Sequence, residues 1–181
     1  MTTVFIAGSR AVSRLNSQIT GRIDNIIKQG FTVLVGDANG ADKAVQSYLA
    51  KLQYQNVVVH CMDVCRNNVG GWTTRFHQAP SHLRRDRHYY AIKDKAMASD
   101  STCGFMLWDG RSKGTLANVV NLINAHKNVL LYLRAKKAFL KLGSLEDLSA
   151  VLRESGLRDV SPFLNGAGVT DQDVPRLLRF G

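Results

Sequence analysis

The sequence predicts an α/β domain built on a doubly wound, mostly parallel sheet with helices on both faces. Three observations predict this class. Short apolar runs recur without polar alternation, amphipathic stripes at helical spacing lie between them, and glycines follow several of the runs. Continuous apolar runs are typical of parallel strands that helices cover on both faces. Alternation of such strands with helices indicates a doubly wound sheet, whose ligands bind beyond the carboxyl ends of the strands.

Each predicted element has its own pattern. The strands are the apolar runs at residues 4–7, 31–35, 57–59, 104–107 and 129–133. Four helical stripes lie between them: Ile19, Ile23, Ile26 and Ile27; Ala44, Val45, Tyr48, Leu49 and Leu52; Tyr89, Tyr90, Ile92, Ala96 and Met97; and Leu116, Val119, Val120, Leu122 and Ile123. We expect the third helix to begin near Ser81 or His82 and to end near Asp100. Residues 63–81 lack a period and are predicted to form a binding loop or a solvated excursion.

The character of the chain changes near residue 134. A basic run of Arg134, Lys136, Lys137 and Lys141 is followed by Ser144-Leu-Glu-Asp147, a pattern typical of a helix start. We therefore divide the chain into a main domain, residues 1–134, and a short, basic, helical C-terminal extension, residues 135–181, packed on or beside it. One last helical turn is expected between Ser161 and the end of the chain.

Composition limits the class of protein and of partner. The 181 residues include 24 Lys and Arg against 14 Asp and Glu, a formal charge of +10. A chain of this length buries roughly 70% of its unfolded surface and needs neither disulfide nor metal to fold. Strong positive charge favours polyanionic or phosphate-bearing partners. No apolar run approaches the length of a membrane span, so no membrane partner is expected.

The cysteines indicate a reducing compartment. Cys61, Cys65 and Cys103 are an odd number at spacings unlike a disulfide framework, which favours the cytoplasm. His60 stands beside Cys61, yet no further ligand or second cysteine pair accompanies them, so we expect buried core cysteines and no metal site. No cofactor is expected either.

The first two informative loops follow the first two strands. Gly8-Ser9-Arg10 offers a close backbone approach and helix-end amides for an anion, although a tight turn with an exposed arginine explains it equally well. Gly36-Asp37-Ala38-Asn39-Gly40-Ala41-Asp42 contains two carboxylates, and one suffices to cap the following helix. Because a carboxylate repels phosphate, Asp37 or Asp42 is expected to face a ribose or a base; two turn or capping aspartates are the alternative. The fingerprints of standard NAD and ATP loops are missing.

The strongest signal follows the fourth strand. Trp108-Asp109-Gly110-Arg111-Ser112-Lys113-Gly114-Thr115 combines two glycines, two hydroxyls and a lysine ahead of an amphipathic helix. Such a helix N-terminus binds anions through its amides. Thr115 can also be a simple cap, but a cap does not explain the whole group, so phosphate binding is favoured here. Trp108 either stacks on a base or packs under the following helix.

Four segments together resemble the SLOG superfamily, in particular its small bacterial YspA and YpsA-related branch. They are Gly8-Ser9-Arg10, the loop from Gly36 to Asp42, Lys93-Asp94-Lys95-Ala96-Met97 with Asp100, and the turn from Trp108 to Thr115. The resemblance spans about residues 3–133 and implies a single Rossmann-like domain. That superfamily includes LOG phosphoribohydrolases, which cleave the base from cytokinin nucleoside monophosphates. It also includes the DNA-processing protein DprA and sensor domains for NAD-derived or ADP-ribose-like ligands.

The resemblance implies a nucleotide site whose phosphate lies at Gly114 and Thr115. The predicted ligand-binding residues are Gly8, Ser9, Arg10, Gly36, Asp37, Gly40, Ala41, Asp42, Arg84, Lys93, Trp108, Asp109, Gly110, Ser112, Lys113, Gly114 and Thr115. Asn118 stands where the LOG pattern has a glutamate, and an amide is no general acid or base. Asp109 and Asp42 are therefore the catalytic candidates. Lys93 is nearest to the LOG arginine, for which Arg84, Arg85 or Arg87 can substitute.

Three functions follow as expectations. The first is binding of a nucleotide such as an ADP-ribose or NAD-related compound or a nucleoside monophosphate, as a sensor or with N-glycosidic hydrolase activity. The second is a LOG-type nucleoside-monophosphate phosphoribohydrolase. The third is a single-strand-binding protein of DprA type, in which Arg84, Arg85, Arg87 and the neighbouring tyrosines contact the nucleic acid. A homodimer is expected by analogy with related folds.

Overall fold

The computed structural model describes residues 1–155 and contains seven strands and five helices in that part of the chain. The strands are β1 (Thr3–Gly8), β2 (Thr32–Gly36), β3 (Val57–Cys61), β4 (Thr73–Phe76), β5 (Cys103–Trp108), β6 (Val129–Leu133) and β7 (Ala138–Leu142). The helices are α1 (Ser17–Lys28), α2 (Ala41–Lys51), α3 (Arg87–Asp100), α4 (Lys113–Asn124) and α5 (Leu145–Glu154). The last helical turn expected after Ser161 lies outside the described residues.

The strands form one sheet in the order β4-β3-β2-β1-β5-β6-β7. All neighbours are parallel except β6 and β7, which pair antiparallel. The predicted doubly wound, mostly parallel α/β sheet is confirmed. The boundary proposed after residue 134 falls in the turn between β6 and β7, and β7 extends the same sheet as its edge strand.

Two apolar layers cover the sheet, one on each face. Val4, Ile6, Val33, Val35 and Val59 belong to the layer that packs against the isoleucine stripe of α1 and the buried face of α2. The other layer contains Phe5, Met106 and Leu131 together with buried residues of α3, α4 and α5. Alternate residues of each strand thus point to opposite layers, which explains why the strand sequences are continuously apolar.

Helix α3 begins later than predicted. Its first residue is Arg87, whereas the sequence favoured a start near Ser81 or His82. Asp86 caps the helix, because its carboxylate accepts hydrogen bonds from the backbone amides of His88 at 2.8 Å and Tyr89 at 3.2 Å. The capping carboxylate therefore fixes the first helical residue six positions after Ser81.

The long segment after β3 is more ordered than its sequence indicates. It contains β4, and the Trp72 indole is buried with its Nε1 donating to the Tyr54 carbonyl at 2.8 Å. Cys61 and Cys65 are joined by a disulfide, although their spacing had favoured free core cysteines. Cys103 is a free thiol. Among the described residues, no helix combines the length and hydropathy that crossing a membrane requires.

Candidate functional site

A cleft of about 670 Å³ lies at the carboxyl edge of the sheet. The cleft lies where β1 and β5 are neighbours in the sheet. Here the chain leaves β1 toward the face covered by α1 and leaves β5 toward the opposite face, covered by α4. Ligands of open α/β sheets bind at such a switch point. The cleft is lined by the loops after β1, β2, β3 and β5, the segment before α3 and the N-terminal parts of α2, α3 and α4. Its lining residues include Gly8, Arg10, Asp42, Arg66, Arg85, Arg87, Tyr90, Lys93, Asp109, Ser112, Gly114, Thr115 and Asn118.

The β1 loop is tied to the β5 loop through one buried hydroxyl. Ser9 Oγ donates to Asp109 Oδ1 at 2.9 Å, accepts from the Asp109 backbone amide at 3.1 Å and lies 3.1 Å from Thr115 Oγ1. Gly8 permits this approach, since a Cβ there would lie 2.5 Å from the Leu107 carbonyl oxygen. Ser9 therefore acts within the structure as the link between two loops that the sequence had proposed for one site.

The carboxylate of Asp109 organises its own turn. Besides Ser9, its Oδ1 accepts from the backbone amides of Arg111 at 2.9 Å and Ser112 at 2.8 Å. Burial alone would raise the pKa of Asp109, but these hydrogen bonds outweigh it and lower the pKa below its ordinary value. Asp109 is thus an ionised acceptor that shapes the loop.

The first turn of α4 opens into the cleft. Ser112 caps the helix, with its Oγ accepting from the Thr115 amide at 3.3 Å. A Cβ built on Gly114 would meet no heavy atom within 4 Å, so this glycine faces open space in the cleft. The N-terminus of a helix carries partial positive charge and favours an anion.

Trp108, one of the predicted ligand-binding residues, lies beneath this turn. Its side chain is fully buried, and Nε1 donates to the Ser112 carbonyl at 3.1 Å. The alternative in which Trp108 packs under the following helix therefore describes its position, and neither ring face reaches the cleft.

Asp37 is engaged by an arginine that sequence reasoning missed. Arg66 Nη2 and Nε contact the two carboxylate oxygens at 2.6 and 3.1 Å, and the Arg66 amide adds a third hydrogen bond at 3.1 Å. Burial tends to raise the pKa of Asp37, but Arg66 outweighs it and lowers the pKa. The Arg66 guanidinium also lies 4.4 Å from the centre of the Tyr90 ring, on the wall of the cleft. Asp37 therefore positions Arg66 and does not itself line the cleft.

Asp42 lies at the floor of the cleft beside Lys93. Asp42 is 6% exposed, and its Oδ2 accepts from the Ala38 amide at 3.2 Å. Burial raises the pKa of Asp42 to about 6, although the charge of Lys93 opposes the rise. Gly36 is required here, because a Cβ would lie 2.4 Å from Asp42 Oδ2 and 2.9 Å from Lys93 Nζ. Of the two catalytic candidates, Asp42 is the carboxyl whose pKa is raised toward neutral pH.

Lys93 is held by carboxylates on several sides. Its Nζ donates to Asp94 Oδ1 at 2.7 Å and lies 4.0 Å from Asp37 Oδ1. Burial disfavours the charged ammonium, yet Asp94, Asp42 and Asp37 outweigh it and raise the pKa of Lys93. The lysine is consequently a fixed positive charge under the cleft.

Asn118, Arg85 and Arg87 complete the lining of the cleft. The buried Oδ1 of Asn118 has no hydrogen-bond partner among residues 1–155, and its side chain lines the cleft. Arg84 is exposed and lies outside the lining, whereas Arg85 and Arg87 belong to it. Gly40 and Ala41 hold the β2 loop against the β1 loop and do not line the cleft. Gly40 has φ +89°, and a Cβ there would lie 2.3 Å from the Arg10 carbonyl oxygen. The Ala41 amide donates to the Ser9 carbonyl at 3.4 Å.

Potential metal ligands cluster near the cleft. Within the described part of the chain, Asp37, Cys61 and Cys65 form a group whose ligand atoms lie within 4.8 Å of one another. The two sulfurs are bonded to each other and Asp37 is paired with Arg66, so these atoms already have covalent or ionic partners.

Comparison with solved structures finds a similar fold in a DNA-binding protein. No protein-family model and no curated protein matches the chain. DNA processing protein A from Helicobacter pylori, described for its single-stranded DNA binding mode, aligns with a TM-score of 0.56 and 12% identity over 95% of this chain and 81% of that chain. This chain has a Rossmann-like α/β fold. The identity is too low to carry function, so the similarity concerns the fold.

Proposed function

We propose that this protein binds single-stranded nucleic acid and seats one nucleotide of the strand in the cleft, with a phosphate at the N-terminus of α4. The observation that carries the proposal is the open first turn of α4, where Gly114 leaves room for an anion next to Ser112 and Thr115. Backbone amides at such a terminus bind phosphate oxygens without needing a fixed base sequence.

The charge of the molecule and its structural neighbour support the same partner. The chain carries a formal charge of +10, and Arg10, Arg85 and Arg87 lie around the cleft. Neutralised phosphates release counterions, which makes such binding favourable at low salt. The similar protein from Helicobacter pylori is described as binding single-stranded DNA.

A free nucleotide is the second candidate, favoured by the size and the floor of the cleft. A volume of about 670 Å³ lies within the range of small-molecule pockets. An ADP-ribose or NAD-related compound or a nucleoside monophosphate would meet Asp42 and Asn118 as polar partners. If the bound nucleotide is hydrolysed at its glycosidic bond, Asp42 is the proton donor we propose, because its pKa of about 6 keeps part of it protonated near neutrality.

A matched pair of glycine substitutions tests the phosphate position. Gly114→Val places a branched side chain in the open space at α4, whereas Gly21→Val does the same on the outer face of α1, where a Cβ also meets nothing within 4 Å. We expect Gly114→Val to abolish binding of a fluorescent single strand and of nucleotides, and Gly21→Val to leave both intact. Melting temperatures of both variants equal to that of the parent, in the absence of ligand, would show that folding is unaffected.

The ligand panel separates the two candidates. Single strands, nucleoside monophosphates, ADP-ribose and NAD are each titrated against the parent protein, and release of free base is followed by chromatography. Strand binding that Gly114→Val removes supports the first candidate, and binding of one free nucleotide alone supports the second. Binding of every ligand by Gly114→Val at the affinity of the parent would refute the phosphate position.

A further inference from the structure

A second surface beside the cleft differs from it in charge. We define the β6 groove as the depression of about 520 Å³ between the β1 loop and the ends of α1 and β6, with Arg14, Arg134 and Lys137 as its charged lining residues. Within residues 1–155, no acidic side chain lines it. The cleft, in contrast, mixes cations with Asp42, Asp86, Asp94 and Asp109. Charge repulsion of phosphates is thus weaker in the β6 groove than in the cleft.

The β6 groove is continuous with the cleft. Ala11 lines both depressions, so the two meet along the β1 loop. The loop is held in place there, because Arg134 Nη1 donates to the Ala11 carbonyl at 3.0 Å and Asn16 Nδ2 donates to Tyr132 Oη at 2.6 Å. A ligand that extends beyond the cleft over Ala11 therefore meets a formed surface.

Two of the three cations of the groove are available to a ligand. Within residues 1–155, the side chains of Arg14 and Lys137 make neither a hydrogen bond nor an ion pair, and both residues are exposed. A third depression, on the α2 side of Arg14, also contains Lys43 and Lys51. Its Tyr48 hydroxyl, however, donates to Asp24 at 2.7 Å, which brings a carboxylate close. Of these three depressions, the β6 groove has the least opposing charge among the described residues.

We infer that a single strand whose nucleotide occupies the cleft leaves it over Ala11 and places its next phosphates in the β6 groove, against Arg14 and Lys137. The inference rests on the proposed binding of single strands and adds the direction of the strand. The division of charge explains the two surfaces: the cleft, with near-balanced charge and fixed polar groups, suits one nucleotide, and the purely cationic groove suits a backbone.

The test compares two double variants of equal charge. Arg14→Gln with Lys137→Gln removes both groove cations, and Lys28→Gln with Lys95→Gln removes two exposed cations that line none of the three depressions. Each protein is titrated with an oligothymidylate of about four and one of about 20 nucleotides at several salt concentrations. The longer strand reaches the groove, whereas the shorter one is largely confined to the cleft.

The groove variant should bind the long strand more weakly and with less dependence on salt. Two lost phosphate contacts lower the slope of log K against log salt by about 1.4. If the parent and the groove variant bind equally at 1 M salt, the groove variant then binds roughly 25-fold more weakly than the parent at 0.1 M salt. Affinity for the short strand should stay near that of the parent, and the control variant should show a far smaller change in slope.

Two results would overturn the inference, and they are distinguishable. If the parent binds the long strand and the groove variant binds it as the control variant does, the strand takes another path and the proposed function stands. If the parent binds neither strand, the proposed function fails together with the inference.

Discussion

Replacement of Asp42 by asparagine should stabilise the protein at neutral pH. The carboxyl is buried, and the pKa of Asp42 rises from an ordinary 3.8 to about 6 because burial disfavours the charged form more than Lys93 favours it. The folded state therefore binds the proton more tightly than the unfolded state does. The stabilising effect of this bound proton is fully present below pH 3.8 and is lost as the pH rises through 6.

The size of the effect follows from the two pKa values. They differ by about 2, and one pKa unit corresponds to about 1.4 kcal/mol, so the ionised carboxylate costs about 3 kcal/mol at pH 7. At pH 4 most of this cost is gone, because the carboxyl is then protonated in the folded state. Asparagine avoids this cost, since it is close in shape and can still accept the Ala38 amide. For a chain of this length, 3 kcal/mol corresponds to a rise of roughly 6–12 °C in melting temperature.

Thermal and urea unfolding of parent and Asp42→Asn at pH 7 and pH 4 measure this difference. Asp37→Asn is the matched comparison, because Arg66 outweighs burial and lowers the pKa of Asp37. Loss of the Asp37 carboxylate leaves Arg66 without its ionic partner and should destabilise the protein by about 3 kcal/mol at pH 7. A stabilisation by Asp42→Asn that is equal at both pH values would show that ionisation is not its cause. Destabilisation at pH 7 would show that Lys93 fully compensates for the burial of Asp42.

Two further predictions concern the β3 region. Burial, with the nearby charge of His77, lowers the pKa of the His60 imidazole from 6.5 to about 3. The free energy of unfolding should therefore fall by about 3 kcal/mol between pH 7 and pH 4, because the folded state resists protonation of His60. In His60→Gln, urea unfolding should show a fall that is smaller by about 3 kcal/mol. Identical pH profiles would contradict this. Reduction of the Cys61–Cys65 disulfide, whose cysteines are four residues apart, should cost about 2 kcal/mol, or roughly 4–8 °C. A melting temperature that stays constant while thiol titration shows both cysteines free would contradict it.

The sequence predicts the buried part of the fold better than its edges. The five strands that it predicts are β1, β2, β3, β5 and β6, each of which is covered on both faces and therefore continuously apolar. The two edge strands are missed because their residues are mostly exposed or half-buried, as in Thr73–Phe76. An edge strand whose faces are only partly buried needs no continuous apolar run, so its sequence does not predict it.

The site shows the same division. The position of the cleft follows from the carboxyl ends of the strands, and Gly8, Asp42 and Gly114 lie in its lining. Their part in ligand binding stays a prediction. Arg66 could not be predicted, since its pairing with Asp37 depends on the path of a loop without a period. The roles of Trp108 and Arg84 depend on side-chain orientation, which spacing along the chain does not determine.

Asp42 and Asp109 illustrate why residue type alone does not assign chemistry. Both are aspartates in loops at the same sheet edge, yet three backbone or hydroxyl donors keep Asp109 ionised while burial keeps part of Asp42 protonated. A carboxylate that costs about 3 kcal/mol at pH 7 marks a position where stability and function can trade against each other. If Asp42→Asn is more stable than the parent and binds nucleotides or single strands less well, the ligand is what depends on Asp42. If binding is unchanged, the dependence lies in the charge balance with Lys93, and Lys93→Met combined with Asp42→Asn should then fold stably.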